Sequence, residues 1–320
     1  MMRSPPTPRM YEPRDSYRGA ARPYRWVTPN VAERVAVVDG IRTRFEVTGS
    51  GPALLMYSPG GFDSTLEAWR SVGIYKRLRL IDHLSGSYTC ITFDRRESGR
   101  SGGRFERIAW PDYVRQGLGL LDCLGVEKAH LMGGCVGCSA VVAFGVAHPD
   151  RVTSMVLFAP AGGVKYRLKQ QARFMQHLAF VEAHGLAGVV AVVRESNNGF
   201  TADPRVGPWN SVLRTDAQFA ADYVRIDPAR YAVVVSGLAR TMYDRDTVAG
   251  AEPEDLLALR IPALVVPGQD ESHALSAARY LQECLPASEY WDIPVAEQKE
   301  ENTARRILEF LDAASSTASA

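Results

Sequence analysis

The stretch that most constrains this chain reads His130-Leu131-Met132-Gly133-Gly134-Cys135-Val136-Gly137 and runs directly into the small-residue segment 139–147. An apolar run, a glycine-bracketed cysteine and a run of small residues spell strand, sharp turn and helix. A side chain held at such a turn sits on strained backbone, and the flanking glycines leave room for neighbouring main chain. The helix that follows opens with unsatisfied N–H groups. These favour a thiolate at Cys135 and offer the Val136 N–H to a developing oxyanion. Cys135 is therefore read as an activated nucleophile, against the blander reading of an inert cysteine in a Gly-rich turn. Cys138, one residue past the second glycine, is read as helix packing.

Strands and helices alternate around this turn. Residues 35–38 and 43–47 alternate in polarity about Asp39-Gly40, a two-residue hairpin signal. Residues 53–57, 89–93, 130–132, 154–158 and 263–266 are short apolar runs of the kind buried in parallel sheets, with 289–291 as a last, weaker strand. Helical spacing covers 74–84, 113–124, 276–285 and 303–311. The pattern predicts an α/β fold, a mostly parallel doubly wound sheet with helices on both faces and an antiparallel hairpin at its start.

Between 162 and 256 the alternation stops. Helices over 166–184, 187–194, 216–225 and 229–242, joined by the polar stretch 195–214, read as a helical lid inserted over the carboxyl edge of the sheet. The lid aromatics, among them Tyr166, Phe174, Phe200 and Tyr243, are read mainly as its own core, with a pocket lining as the alternative. The core then comprises 31–161 and 257–314, with tails at 1–30 and 315–320. The first tail, rich in Pro, Arg and Tyr, lacks the apolar centre of a secretory signal and reads as a mobile or surface-draped extension.

Composition removes several function classes. Lys and Arg (37) balance Asp and Glu (36), so no charge excess points to nucleic acid or an anionic membrane. No apolar run approaches the roughly 20 residues of a membrane span. No phosphate loop, dinucleotide fingerprint or metal-spaced Cys/His group appears, so no cofactor or metal is expected and the partner is a small-molecule substrate. Five cysteines in 320 residues make no disulfide framework and fit a reducing, cytoplasmic setting. The oligomeric state is left open, a homodimer included.

Several motifs in order resemble the α/β-hydrolase superfamily over roughly 35–311. They are Ser58-Pro59-Gly60-Gly61-Phe62, Asp94-Arg95-Arg96-Glu97-Ser98-Gly99-Arg100-Ser101, the Cys135 turn, His148-Pro149-Asp150-Arg151-Val152, and Ile261-Pro262 through Gly268-Gln269-Asp270. The resemblance implies Cys135 as nucleophile, backbone N–H groups of Val136 and of Gly61 or Phe62 as oxyanion donors, with Gly60 in the same loop, and Asp270 as acid. The chain departs from the family in three places. Cys stands where most members carry Ser, as in dienelactone-hydrolase-like members. Glu97 replaces the glycine of the family's Asp-x-Arg-Gly loop, and is expected to form a surface ion pair with Arg95 or Arg100, or else to steer substrate. The family's histidine after the last strand is missing from 292–299.

The base must then come from elsewhere. His83, His130 and His148 look structural, and His177 and His184 lie on the first lid helix, where they could contact substrate. His273, three residues after Asp270 in a loop at the carboxyl edge, is the favoured base, with Asp270 or Glu271 as its partner. A thiol needs less help than an alcohol, so a displaced imidazole is chemically workable. The expected activity is cysteine-dependent hydrolysis of a small, fairly apolar ester, lactone, thioester or activated C–C substrate. Lyase, acyltransferase or cyclase chemistry in the same pocket is the alternative, and a non-catalytic binding protein a third.

Overall fold

The computed structural model describes residues 34–318, so the N-terminal tail reading lies outside the described residues. Asp39 and Gly40 both adopt positive φ (50° and 70°), and so close the tight turn between β1 (Arg34–Val38) and β2 (Ile41–Thr48). The remaining strands are β3 (Ala53–Tyr57), β4 (Thr89–Phe93), β5 (Ala129–Gly134), β6 (Val152–Phe158), β7 (Ala263–Val266) and β8 (Ser288–Tyr290). They form one eight-stranded sheet in the order β1-β2-β4-β3-β5-β6-β7-β8. β2 pairs antiparallel with β1 and β4, and every later pairing is parallel.

Burial on both faces explains why the central strands are apolar throughout. Along β3, Leu55 and Tyr57 enter a cluster with Leu131, Leu157 and Val265, while Leu54 and Met56 face the opposite cluster with Met132, Val156 and Leu264. The first cluster is covered by α4 (Trp110–Cys123), α5 (Gly137–Ala147), α11 (Leu275–Cys284) and the insertion; the second by α2 (Gly73–Leu78), α3 (Leu80–Leu84) and α12 (Glu300–Ala318). Cys135 packs against both, because it sits where the sheet ends.

Two helical readings change. The stretch read as one helix over 74–84 is α1 (Ala68–Ser71), α2 and α3, with Arg79 in the left-handed region (φ 46°) between the last two. That break lets Leu78, Leu80, Ile81 and Leu84 all reach the same apolar cluster. At the C-terminus, α12 runs through residues 315–318, which were read as tail. Ser315 on this helix meets His130 Nε2 at 3.0 Å, and the His130 Nδ1 meets Ser154 at 2.8 Å.

Residues 164–258 contain α6 (Val164–Glu195), α7 (Asn210–Thr215), α8 (Ala217–Tyr223), α9 (Pro228–Met242) and α10 (Pro253–Ala258), and no strand. α6 breaks at Gly185 (φ 65°), where the sequence reading ended its first lid helix one residue earlier. An 18-residue window of α6 has a mean hydropathy of 1.4, long and apolar enough by composition to cross a membrane and more apolar than expected. Here its Phe174, Val181, Val189 and Val193 pack into the protein core. The insertion docks on the loops that leave β3 and β4. Phe62 meets Phe174, Phe200 and Tyr243 edge-on, Asp63 accepts from the Phe200 and Thr201 N–H groups, and Trp209 Nε1 donates to the Arg104 carbonyl at 2.9 Å.

Candidate active site

The turn after β5 has the form read from the sequence. Cys135 lies in the left-handed region (φ 55°), and its N–H donates to the Phe158 carbonyl at 3.1 Å. The glycines are steric necessities. A Cβ on Gly137 would lie 2.2 Å from the Tyr57 carbonyl oxygen, and one on Gly133 would lie 2.6 Å from the Cys138 nitrogen. Strand β3 and helix α5 can therefore approach only around bare backbone. Cys135 is partly exposed while Gly134 and Val136 are buried, so the side chain is the one the turn presents. Cys138 is buried, its Sγ donating to the Gly133 carbonyl at 3.2 Å, a packing role as expected.

The loop after β7 carries the histidine. Gly162 donates to the Ser272 carbonyl at 3.0 Å and its own carbonyl accepts from Ala274 at 3.3 Å, stitching this loop to the segment that follows β6. The loop then closes on Asp270. Its Oδ1 accepts the N–H groups of Ser272 (2.8 Å) and His273 (3.0 Å), and its carboxylate accepts from His273 Nδ1 at 2.8–2.9 Å. The other ring nitrogen, Nε2, is buried, makes no conventional hydrogen bond, and interacts with the Cys135 sulfur. Asp270, rather than Glu271, is thus the partner; Glu271 lies 3.8 Å from Lys165.

The electrostatics follow from this arrangement. Burial by itself would raise the Cys135 thiol, but the His273 charge and the N–H groups of Val136 and Gly60 outweigh it and hold the thiol below its ordinary value. Burial likewise disfavours the His273 imidazolium, yet the Cys135 thiolate and the Asp270 carboxylate raise it to about 9. Asp270 is held below the usual carboxylate range, burial being overcome by His273 and the two loop N–H groups. The two shifts both favour the ion pair, thiolate with imidazolium, over the neutral pair. On the loop after β3, the Gly60 N–H acts on the sulfur, in the same loop as the expected oxyanion donors Gly61 and Phe62. The Gly61 carbonyl is held by Arg95 and by the Ser64 hydroxyl, and the Phe62 carbonyl accepts from Ser98 at 2.7 Å.

Three expected contacts fall away. Glu97 is buried and left-handed (φ 64°). It pairs with Arg96, not with Arg95 or Arg100 at the surface, because the loop turns its carboxylate inward to meet the Arg96 guanidinium and the Arg104 N–H. Burial, despite Arg96, pushes Glu97 up to about 7. His177 is consumed inside the insertion, between the Pro204 carbonyl (2.8 Å) and the Tyr231 hydroxyl (2.6 Å). His184 is exposed and stacks on Phe180. Neither reaches the thiol, since each projects from α6 on a face turned elsewhere.

A small cavity of about 10 Å³ adjoins the turn, lined among others by Trp110, Val136, Ser139, Tyr166 and Tyr243. Trp110 and Arg245 also border an open surface cleft of about 610 Å³. Sequence reasoning passed over Arg95, Trp110 and Ser58, whose side chains are buried at or beside this region with hydrogen-bonding atoms unsatisfied. The doubled arginine directly after a strand-ending aspartate was the available signal. Among the described residues no group of three His, Cys, Asp or Glu side chains could hold a metal.

A family model described as alpha/beta hydrolase fold matches residues 54–188, the segment holding the Gly60 loop and the Cys135 turn. Solved structures agree over most of the chain. The enol-lactonase from Burkholderia xenovorans LB400 superposes with a TM-score of 0.56 at 17% identity, covering 87% of this chain and 100% of that one. The fold is that of the α/β-hydrolases. A meta-cleavage product hydrolase from Pseudomonas fluorescens IP01 shares the α/β-hydrolase fold with this chain at a TM-score of 0.54 and 17% identity, covering 89% and 98% of the two chains. By sequence, the chain is 28% identical over 219 residues to the 2-hydroxymuconate semialdehyde hydrolase of Pseudomonas sp. (strain CF600), which spans 66% of this chain and 71% of that protein. It is 29% identical over 131 residues to the dihydrolipoyllysine-residue acetyltransferase component of the acetoin cleaving system of Cupriavidus necator, 41% of this chain and only 33% of that protein.

Proposed function

We propose that this α/β-hydrolase-fold chain hydrolyses a small activated carbonyl compound through a thioacyl intermediate on Cys135. The bond cleaved is that of an ester, a lactone, a thioester or a carbonyl-activated C–C pair. The observation that carries the reading is the 2.8 Å bond from His273 Nδ1 to Asp270 on a ring whose other nitrogen is buried and acted on by Cys135. The thiolate attacks the carbonyl carbon, and the developing oxyanion is received by the Val136 N–H and an N–H of the Gly60 loop. One such donor is worth about 3 kcal/mol of barrier in comparable sites. Collapse expels the leaving group, which takes the proton from His273 Nε2. The imidazole, now neutral, accepts a proton from water as the water attacks the thioester, and expulsion of the thiolate restores the resting ion pair. Asp270 keeps Nδ1 protonated throughout, so Nε2 is the nitrogen that cycles. The names of several relatives, hydrolases of 2-hydroxymuconate semialdehyde and of 2-hydroxy-6-oxo-dienoates, support carbon–carbon cleavage within this class.

Acyl transfer is the second reading, favoured by the partial likeness to an acetyltransferase component. It differs only in which nucleophile resolves the thioester.

Stopped-flow mixing with 4-nitrophenyl acetate is the test. A burst of nitrophenolate, with acetyl recovered on the Cys135 peptide and lost in Cys135→Ala, is expected. A burst that survives Cys135→Ala removes the proposal. Adding an alcohol or thiol acceptor then separates the two readings, because a transferase forms the acceptor's ester and a hydrolase forms acetate.

A further inference from the structure

Arg95 and Ser98 are the first and last residues of a tight turn after β4, closed by the Ser98 N–H donating to the Arg95 carbonyl at 3.0 Å. Glu97, third in the turn, supplies the positive φ (64°) that such a reversal needs at that position. The Arg95 and Ser98 side chains are both buried, and both reach the loop that follows β3. Arg95 Nη2 donates to the Gly61 carbonyl, and the Ser98 hydroxyl donates to the Phe62 carbonyl at 2.7 Å.

A peptide unit is planar, so its C=O and N–H point in opposite directions and fixing one fixes the other. The Gly61 carbonyl and the Phe62 N–H share one unit, so Arg95 sets the direction of the Phe62 N–H. The Phe62 carbonyl shares its unit with the Asp63 N–H, which donates to the Gly60 carbonyl at 3.0 Å. That carbonyl in turn shares a unit with the Gly61 N–H, so Ser98 sets the Gly61 N–H through one relay. The Ser64 hydroxyl supports the loop from within, donating to the Ser58 and Gly61 carbonyls at 3.1 Å. The carbonyls of residues 58, 60, 61 and 62 are thus all occupied, whereas the Gly61 and Phe62 N–H groups make no hydrogen bond among the described residues. The loop leaves the sheet beside the Cys135 turn, because Tyr57 stands in register with Gly133 on β5.

Arg95 is a costly way to hold one carbonyl. Arg96 pairs with Glu97 and Glu106, but Arg95 has no carboxylate partner among the described residues; its guanidinium lies 4.4 Å over the Tyr113 ring, with Nε and Nη1 buried and unsatisfied. A positive charge on the carbonyl side of a peptide polarises it and strengthens the N–H on the other side as a donor. A neutral donor would hold the carbonyl without that effect.

We propose that Arg95 and Ser98 are positioning residues that clamp the loop after β3 by its carbonyls and so aim the Gly61 and Phe62 N–H groups at the oxyanion formed on attack by Cys135. This rests on the Cys135 reading and assigns a role to two residues outside the Asp270, His273 and Cys135 set.

Two reactions of the same sulfur test it. Attack on 4-nitrophenyl acetate develops an oxyanion, whereas displacement of iodide from iodoacetamide does not. Ser98→Ala is expected to slow the nitrophenolate burst by about 10-fold and Arg95→Gln by about 10- to 100-fold, at most the effect of deleting one oxyanion donor. The apparent Kd for the ester should stay unchanged. Alkylation, read at a pH where Cys135 is fully thiolate, should stay within about twofold of the wild type. Ser98→Thr, which keeps the hydroxyl, should restore the burst, and Arg95→Lys should restore part of it. A burst unchanged in Ser98→Ala or in Arg95→Gln overturns the role of that residue. A parallel fall of burst and alkylation overturns the proposal, since that is what general loss of structure gives. Where Arg95→Gln yields no folded protein, the Ser98→Ala and Ser98→Thr pair decides. Failure of the Cys135 reading looks different: the wild type then places no acetyl on Cys135, and the clamp, with no oxyanion to serve, falls with it.

Discussion

The Asp270 carboxylate and the His273 imidazole lie three residues apart on one loop and meet at 2.8 Å through Nδ1. In this chain the proposed acid and base are therefore a single local unit, fixed by a turn that also spends two backbone N–H groups on the same carboxylate. The Asp270 side chain is 62% exposed, so water screens much of its effect on the ring. Asp270→Asn should lower kcat/KM by about 10- to 100-fold, less than the loss seen when a fully buried orienting carboxylate is removed. The same variant should move the upper pH limit of activity downward from about 9, because His273 loses a charge that favours its protonated form. A pH–rate profile of the variant checks both.

On the proposed mechanism, Cys135 and His273 should set a bell-shaped profile with an assigned sense. As pH falls through the depressed thiol pKa, the thiolate is protonated and attack is lost. As pH rises through about 9, His273 loses the proton it must give to the leaving group, and acylation falls again. Iodoacetamide should alkylate Cys135 rapidly down to pH values well below those of an ordinary thiol. His273→Ala should move the alkylation midpoint up, since only the Val136 and Gly60 N–H groups then oppose burial.

Two other histidines govern acid stability. Burial lowers His130 and His177 to about 4, each against an unfolded value of 6.5. Both forms are neutral above pH 6.5; between 6.5 and 4 only the unfolded chain takes up the proton, so stability falls as pH falls. Each residue contributes up to about 3 kcal/mol across that window. Urea midpoints at pH 7 and pH 4.5 should separate widely for the wild type and less widely for His177→Gln.

The Cys135 turn should tolerate no added methyl group. Gly137→Ala drives a Cβ to 2.2 Å from the Tyr57 carbonyl, backbone against backbone, and should cost about 3 kcal/mol or more. Gly125→Ala, with φ +68° but nothing within 4 Å, carries conformational strain alone and should cost about 1 kcal/mol. Thermal denaturation of the two variants should preserve that order.

The strands at 53–57, 89–93 and 263–266 were legible to the residue, because a strand buried on both faces must be apolar throughout and is cut off sharply by polar loops. The Cys135 turn was legible for a related reason, since only glycine survives at its flanks. The stretch 74–84 was not, because its break depends on Arg79 adopting a left-handed conformation that helical periodicity does not register. Glu97 was placed at the surface from its charge alone, and only packing showed Arg96 available to bury with it.

Local sequence, then, determined the sheet, the Cys135 turn and the three-residue spacing of Asp270 and His273, all of which rest on short-range sterics and periodicity. Tertiary structure alone decided which histidine faces the sulfur, which loop N–H reaches it, and which arginine is left unpaired. Those outcomes depend on strands β3, β4, β5 and β7 ending side by side, an adjacency set by sheet order across more than a hundred residues of chain that no local pattern encodes.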